Sequence, residues 1–400
     1  MPPVFSRDGL HVGVVVKPPQ GGAETLLVDG ASVASYPGIT NIRLAPDGAS
    51  VSFLARRDAQ GSDPPWLFVH RGTPIALPDE GTELVVTPPG EHYAYTYLVP
   101  PYGDHKAIVR DGRNVGQAAD ARELCLTEDG KRFAYVLRPS ARADGELAVI
   151  DGARGPTYGA IWGLAFSDDG RHVAYTALGG QSAERATIVL DGREGRRYRS
   201  ASETPRFAPD GRLVYDAADE RGAVLVIDRR EYGPYRTFVA GPVVKSRIAW
   251  AAETLEQGRV VAHVFVDGAE VHRRDAGTDS PLKSRAASVS SLVVTPTQVA
   301  FATTGGVRVV DASGERILPE GAPLAFDAGG SRLAMLRWED SRVVVRAVEL
   351  AHPDRLSPAG PPVTEVYLET VRFADEGRTL RYAARQDEAL VAVEQGTGAP

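Results

Sequence analysis

The stretch "AFSDDGRHVAYTALGG", Ala165 to Gly180, decides the fold, because near copies of it return along the chain. Its turn glycine, Gly170, recurs in "FSRDGLHVGV" at Gly9, "LAPDGASVSF" at Gly48, "VTPPGEHYAY" at Gly90, "LTEDGKRFAY" at Gly130 and "FAPDGRLVY" at Gly211. The successive intervals are 39, 42, 40, 40 and 41 residues. A fixed period of this length marks an array of one supersecondary unit.

About twenty residues after each glycine, a β-branched run ends in Asp-Gly: "LLVDG" at Asp29, "AIVRDG" at Asp111, "AVIDG" at Asp151, "IVLDG" at Asp191 and "VFVDG" at Asp267. Degraded copies stand near Gly72, Asp228 and Asp311, and later units keep step through Trp250, Phe301, Gly330 and Gly377. The count is ten units, approximately 1–40, 41–82, 83–121, 122–161, 162–202, 203–237, 238–287, 288–320, 321–364 and 365–400.

Each unit reads as four short strands, with glycine turns joining the first to the second and the third to the fourth, because tight hairpins need positive φ. The second strand is apolar on both sides: a small alanine at 94, 134, 174, 249, 300 and 334 is followed by a large apolar residue. Such a strand is covered on both faces. Sheets covered by copies of themselves at a period of about 40 residues are what stacked propeller blades supply. The fold expected is an all-β propeller of four-stranded antiparallel blades over 1–400.

Val189 to Ala217, "VLDGREGRRYRSASETPRFAPDGRLVYDA", resembles the WD40-like bacterial repeats of the TolB-like propeller type. The resemblance is strong over about 1–235 and weaker beyond, and the Trp-Asp and Gly-His dipeptides of eukaryotic WD40 repeats are absent. It implies a propeller that acts as a binding platform. Ten blades exceed the usual four to eight. The near-constant early spacing favours one large ring; two smaller propellers in tandem are the alternative. The last unit, ending "ALVAVEQGTGAP", has no evident fourth strand.

Composition narrows the classes. A net charge of -7, with 40 Arg against 5 Lys, speaks against nucleic-acid binding. The single cysteine, Cys125, excludes an internal disulfide and a cysteine-rich zinc site. No apolar run of membrane-spanning length appears and the amino terminus lacks a secretory pattern, so neither a membrane partner nor export is expected and the location expected is cytoplasmic.

Chemistry-bearing patterns are sparse. His11, His92 and His172 share one slot, two residues after the turn glycine, but belong to units one, three and five, and so read as structural. The turn aspartates stand alone, whereas calcium takes six to eight oxygens. Ser280 and Lys283 form an S-x-x-K in a polar loop, with no supporting G-x-S-x-G, H-E-x-x-H or P-loop anywhere. "REGRRYRS", with Arg193, Arg196, Arg197 and Arg199 around Tyr198, reads as charge spaced along an exposed fourth strand. No catalytic residue, cofactor or metal site is expected.

The loops between second and third strands vary most, and they mix both charge signs with aromatics, which suits a protein partner. Candidate contact residues are Trp66, Tyr102, Asp104, His105 and Trp338. In "PPYGDHK" the neighbouring Tyr102, Asp104 and His105 offer either a recognition element or a solvated turn; Trp66 and Trp338 offer either anchors or blade packing. The function expected is a non-enzymatic protein-interaction platform of a bacterial complex, a scaffold, sensor or regulatory subunit. The alternative is a small-molecule or carbohydrate binder, or a hydrolase or lyase, working in an axial channel.

Overall fold

The turn glycines and β-branched runs build ten antiparallel sheets among the residues described by the computed structural model. These residues are 4–5, 11–18, 20–45, 50–57, 66–77, 83–87, 91–99, 105–179, 185–244, 247–277, 292–303, 306–339, 342–367, 371–386 and 389–397. Blade 5 shows the plan: Ala160–Phe166, Val173–Leu178, Ala186–Leu190 and Arg193–Tyr198 lie side by side in chain order.

The chain divides into two compact units, Met1–Phe207 and Ala208–Pro400. In the first, blade 1 runs from Val4–Phe5 to Ala31–Tyr36, blade 2 from Gly38–Leu44 to Thr73–Leu77, blade 3 from Glu83–Val86 to Arg113–Ala118 and blade 4 from Asp120–Leu126 to Ala153–Tyr158. In the second, blade 7 runs from Thr237–Val244 to Ala269–Gly277, blade 8 from Val293–Val294 to Gly314–Leu318 and blade 9 from Ala322–Phe326 to His352–Leu356. Blade 6 is where the division falls: Ser200–Ala201 and Arg206–Phe207 end the first unit, and Leu213–Asp219, Gly222–Ile227 and Arg230–Tyr235 begin the second. In blade 10 the first position is shared by Glu365–Val366 and Arg372–Ala374, and the last described strand is the third, Ala389–Gly396.

The alanine pattern has its expected meaning. Ala94, Ala134, Ala174, Ala249, Ala300 and Ala334 are all 0% exposed, and the large residues after them are buried too. The cores lie between sheets. One cluster joins Ala134, Val136 and Tyr158 of blade 4 to Ile161, Val173 and Tyr175 of blade 5; another joins Ala249 and Val264 of blade 7 to Val299 and Phe301 of blade 8. Tyr158 and Tyr175 meet edge to face with ring centroids 6.2 Å apart. These are propeller blades, each using its neighbour as the other half of its core.

First strands of consecutive blades run beside one another, as blade 3 beside blade 4 and blade 4 beside blade 5, whereas fourth strands are largely exposed. First strands therefore form the inner edge of a blade and fourth strands the outer edge. Both glycine turns of a blade fall at one end, the turn face; second-to-third-strand hairpins and blade-to-blade links fall at the other, the loop face.

Candidate interaction face

On the turn face the repeated residues are fully occupied in holding the blades. Asp29, Asp111, Asp151, Asp191 and Asp267 adopt positive φ and are each followed by a positive-φ glycine, the backbone of a two-residue hairpin. Each carboxylate then reaches back to the start of its own second strand. Asp191 accepts from Val173 N at 3.0 Å and lies 2.7 Å from His172 Nδ1; Asp151 accepts from Phe133 N and from Arg132 Nε, both at 2.9 Å. Asp29 with His11 and Val12, Asp111 with His92 and Tyr93, and Asp267 with Arg247 and Ile248 repeat the clasp. At Asp29 burial works to raise the pKa, but the His11 and Val12 hydrogen bonds outweigh it and hold the carboxyl below its ordinary value.

Where the clasp residue is arginine it also ties in the next blade. Arg132 Nη1 donates to Gly170 O at 2.8 Å, and Arg247 Nη1 to Pro296 O at 2.9 Å. The opening phrase is architecture in the same sense: Ser167 Oγ donates to Asp169 Oδ1 at 2.6 Å and accepts from His172 N at 3.0 Å, closing the turn at Gly170. The three histidines of one slot thus stand in separate blades, each with its own aspartate.

On the loop face of the first unit, Glu146 is buried at the start of the third strand of blade 4. It accepts from Arg122 Nη2 at 2.7 Å, from Arg138 Nη2 at 3.2 Å and from Ile161 N of blade 5 at 3.0 Å, which makes it an inter-blade tie. Trp66, the first residue of the third strand of blade 2, is half-buried and packs against the cluster of Leu54, Phe68, Leu77 and Tyr95. His105 is exposed, and its carbonyl accepts from Val99 N at 2.8 Å; Tyr102 and Asp104 lie outside the described residues, as do Ser280 and Lys283.

The second unit has a different relief. From the buried alanine of the second strand, seven further strand residues follow Ala249 in blade 7, three follow Ala300 in blade 8 and five follow Ala334 in blade 9. At about 3.4 Å per residue, the blade 7 hairpin stands roughly 13 Å, and the blade 9 hairpin roughly 7 Å, above that of blade 8. A saddle results over blade 8. Near its two crests stand exposed apolar residues: Leu255, 62% exposed, on the blade 8 side of its strand, and Trp338, 73% exposed, on the side of its strand that faces blade 10. The charged residues of the same hairpins are internally paired. Glu256 bonds Arg273, Arg259 Nε meets Asp275 at 2.7 Å, and Arg346 grips Glu339 through Nε and Nη2, both at 2.7 Å. Of the candidate aromatics, Trp338 is therefore presented to solvent and Trp66 to the core. Leu255 was not distinguishable in the sequence, because its exposure follows from the length of the blade 7 hairpin.

No protein-family model matches the chain, and no curated protein sequence matches it. The fold is that of a β-propeller. Among solved structures, the chain is similar to a eukaryotic initiation factor at 9% identity and a TM-score of 0.46, over 89% of this chain and 87% of that one. It is similar to TolB from Acinetobacter baumannii at 17% identity and a TM-score of 0.31, over 55% of this chain and 62% of that one. It is also similar to the β-propeller domain of the Trilobed protease from Pyrococcus furiosus at 10% identity and a TM-score of 0.32, over 70% of this chain and 99% of that one.

Proposed function

We propose that this propeller is a non-enzymatic interaction platform that binds a protein partner through its loop face, and that the crests of blades 7 and 9, with Trp338 foremost, are the principal contact. The observation that carries this reading is Trp338, a large aromatic held in a regular strand with most of its surface in water. Holding a tryptophan in that position forgoes roughly 1.5–3 kcal/mol of burial, which a partner's surface would recover. Tryptophan is among the residues that dominate binding energy.

The test is recovery of the stoichiometric partner from the source cells by tagged wild-type protein, followed by titration of the purified pair. Trp338→Ala is expected to weaken binding about 30-fold or more, corresponding to about 2 kcal/mol, with Leu255→Ser adding to the loss. Both residues are exposed, so neither change should shift the melting curve. Wild-type affinity in the double variant would remove the two crests from the interface, and a purified metabolite or sugar that raises the melting temperature in the absence of any partner would favour a small-molecule function instead.

A further inference from the structure

The outer edge of blade 5 differs from those of blades 2 and 4. A fourth strand ends its sheet and offers unpaired backbone to other chains, and proline is one of the usual guards against that. Blade 2 carries Pro74 in its fourth strand, Thr73–Leu77, and blade 4 carries Pro156 in Ala153–Tyr158. In blade 4 the register skips between Leu147 and Val149, so that Gly155 and Pro156 form a bulge; in blade 5 the same skip, between Thr187 and Val189, makes Gly195 and Arg196 the bulge. Arg196 therefore stands in the slot of Pro156. The first five residues of Arg193–Tyr198 are exposed, as is Arg199 just beyond, and Tyr198 alone turns into the core.

Four of the seven residues from Arg193 to Arg199 are arginines, and one, Glu194, is acidic; it lies 2.9 Å from Arg197 Nη2. Exposed ion pairs of this kind are weak and exchange readily for a better-placed carboxylate. The guanidinium fork matches carboxylates in a bidentate manner. A second copy of the same strand is repelled by like charge, and the bulge limits how many backbone bonds any added strand can make. Recognition at this edge must then be mainly electrostatic.

We infer that the Arg193–Arg199 edge of blade 5 is a docking strip for an extended acidic segment of a partner protein, its carboxylates paired with Arg197 and Arg199 and its backbone alongside the strand. This surface is separate from the loop face and stands or falls independently of the two crests.

The probe is a fluorescein-labelled eight-residue peptide with glutamate alternating with valine, compared by anisotropy with its glutamine counterpart on the full chain. Because a few charge contacts carry the binding, the acidic peptide is expected to bind at least about tenfold tighter than the glutamine peptide and to weaken at least about tenfold between 50 and 200 mM salt. Arg197→Glu with Arg199→Glu should abolish binding. Arg196→Pro, which copies the blade 4 edge and so should fold, should weaken it by obstructing the backbone approach. Equal binding of the two peptides, or unchanged binding in the Glu double variant, would overturn the inference. So would a single-stranded oligonucleotide or anionic-lipid vesicles competing at lower charge concentration than the peptide, since the strip would then be a general polyanion site.

Discussion

Gly163 is the position at which a single methyl group tests the packing of blade 5 most severely. It sits in the bulge of the first strand with φ of 64°, and a Cβ built there would lie 2.2 Å from Glu203 O and 2.6 Å from Pro205 Cδ. Gly163→Ala meets two costs. The left-handed backbone disfavours an L side chain by about 1–2 kcal/mol. Moving the 203–205 backbone far enough to admit the methyl group adds about 1–3 kcal/mol, the usual range for overpacking. Stiffening the unfolded chain returns about 0.4–1 kcal/mol. The expected net loss is about 2–4 kcal/mol, or about 5–15 °C in melting temperature for a unit of roughly 200 residues.

The assay is equilibrium urea unfolding followed by tryptophan fluorescence, with Trp162 next to the substitution as the local reporter. Asn41 is the control. It occupies the same bulge in blade 2 at φ of 52°, so Asn41→Gly relieves the backbone and loosens the unfolded chain together and should change stability by no more than about 0.5 kcal/mol. If Gly163→Ala unfolded at the wild-type midpoint, the close approach of Glu203 would not exist and the first strand of blade 5 would be misplaced. If Asn41→Gly cost as much as Gly163→Ala, the bulge rather than the contact would be responsible.

Other outcomes follow from the same packing. Ala174→Leu should destabilise the protein by roughly 1–3 kcal/mol in the same urea assay, because the position is wholly enclosed between blades. Glu339 is held below the ordinary carboxylate value of 4.5, chiefly by the Arg346 hydrogen bonds. A depressed folded pKa gives stability that is present above the unfolded value and lost as pH falls through the folded one, so wild type should lose stability below about pH 4.5 more steeply than Glu339→Gln in acid titrations of the melting temperature. Replacing Tyr102 and His105 together should weaken capture of a loop-face partner without altering the melting curve; unchanged affinity would remove them from the site.

What the sequence made legible was whatever the repeat had to keep. The turn glycines, the Asp-Gly hairpins and the enclosed alanines are set by local backbone demands and by a neighbour of fixed shape, so each announces itself at every period. The aspartate clasps were half visible: the turn role of Asp191 could be read from Asp-Gly, whereas its bond to Val173 N, 18 residues back, depends on strand pairing. The shared slot of His11, His92 and His172, with Arg132 and Arg247 in its place elsewhere, was the available signal. The first-strand bulges at Asn41 and Glu123 left no trace, because the positive φ there is carried by residues other than glycine. The saddle arises from differences in strand length that alternation alone does not measure, and so of its two crest residues only Trp338 stands out in the sequence.

The clasps bear on how the protein ages. Asp-Gly is the dipeptide most prone to isomerise, because the unhindered glycine nitrogen lets the preceding carboxyl carbon close a succinimide ring. At Asp29, Asp111, Asp151, Asp191 and Asp267 the carboxylate is instead drawn back onto a second-strand N–H. Five sequences that would be chemical weak points in a loose loop thereby have their carboxylates engaged elsewhere. Peptide mapping of heat-aged protein should find isoaspartate at these sites only once the blades have opened, and its accumulation in fully folded material would show that the clasps do not protect.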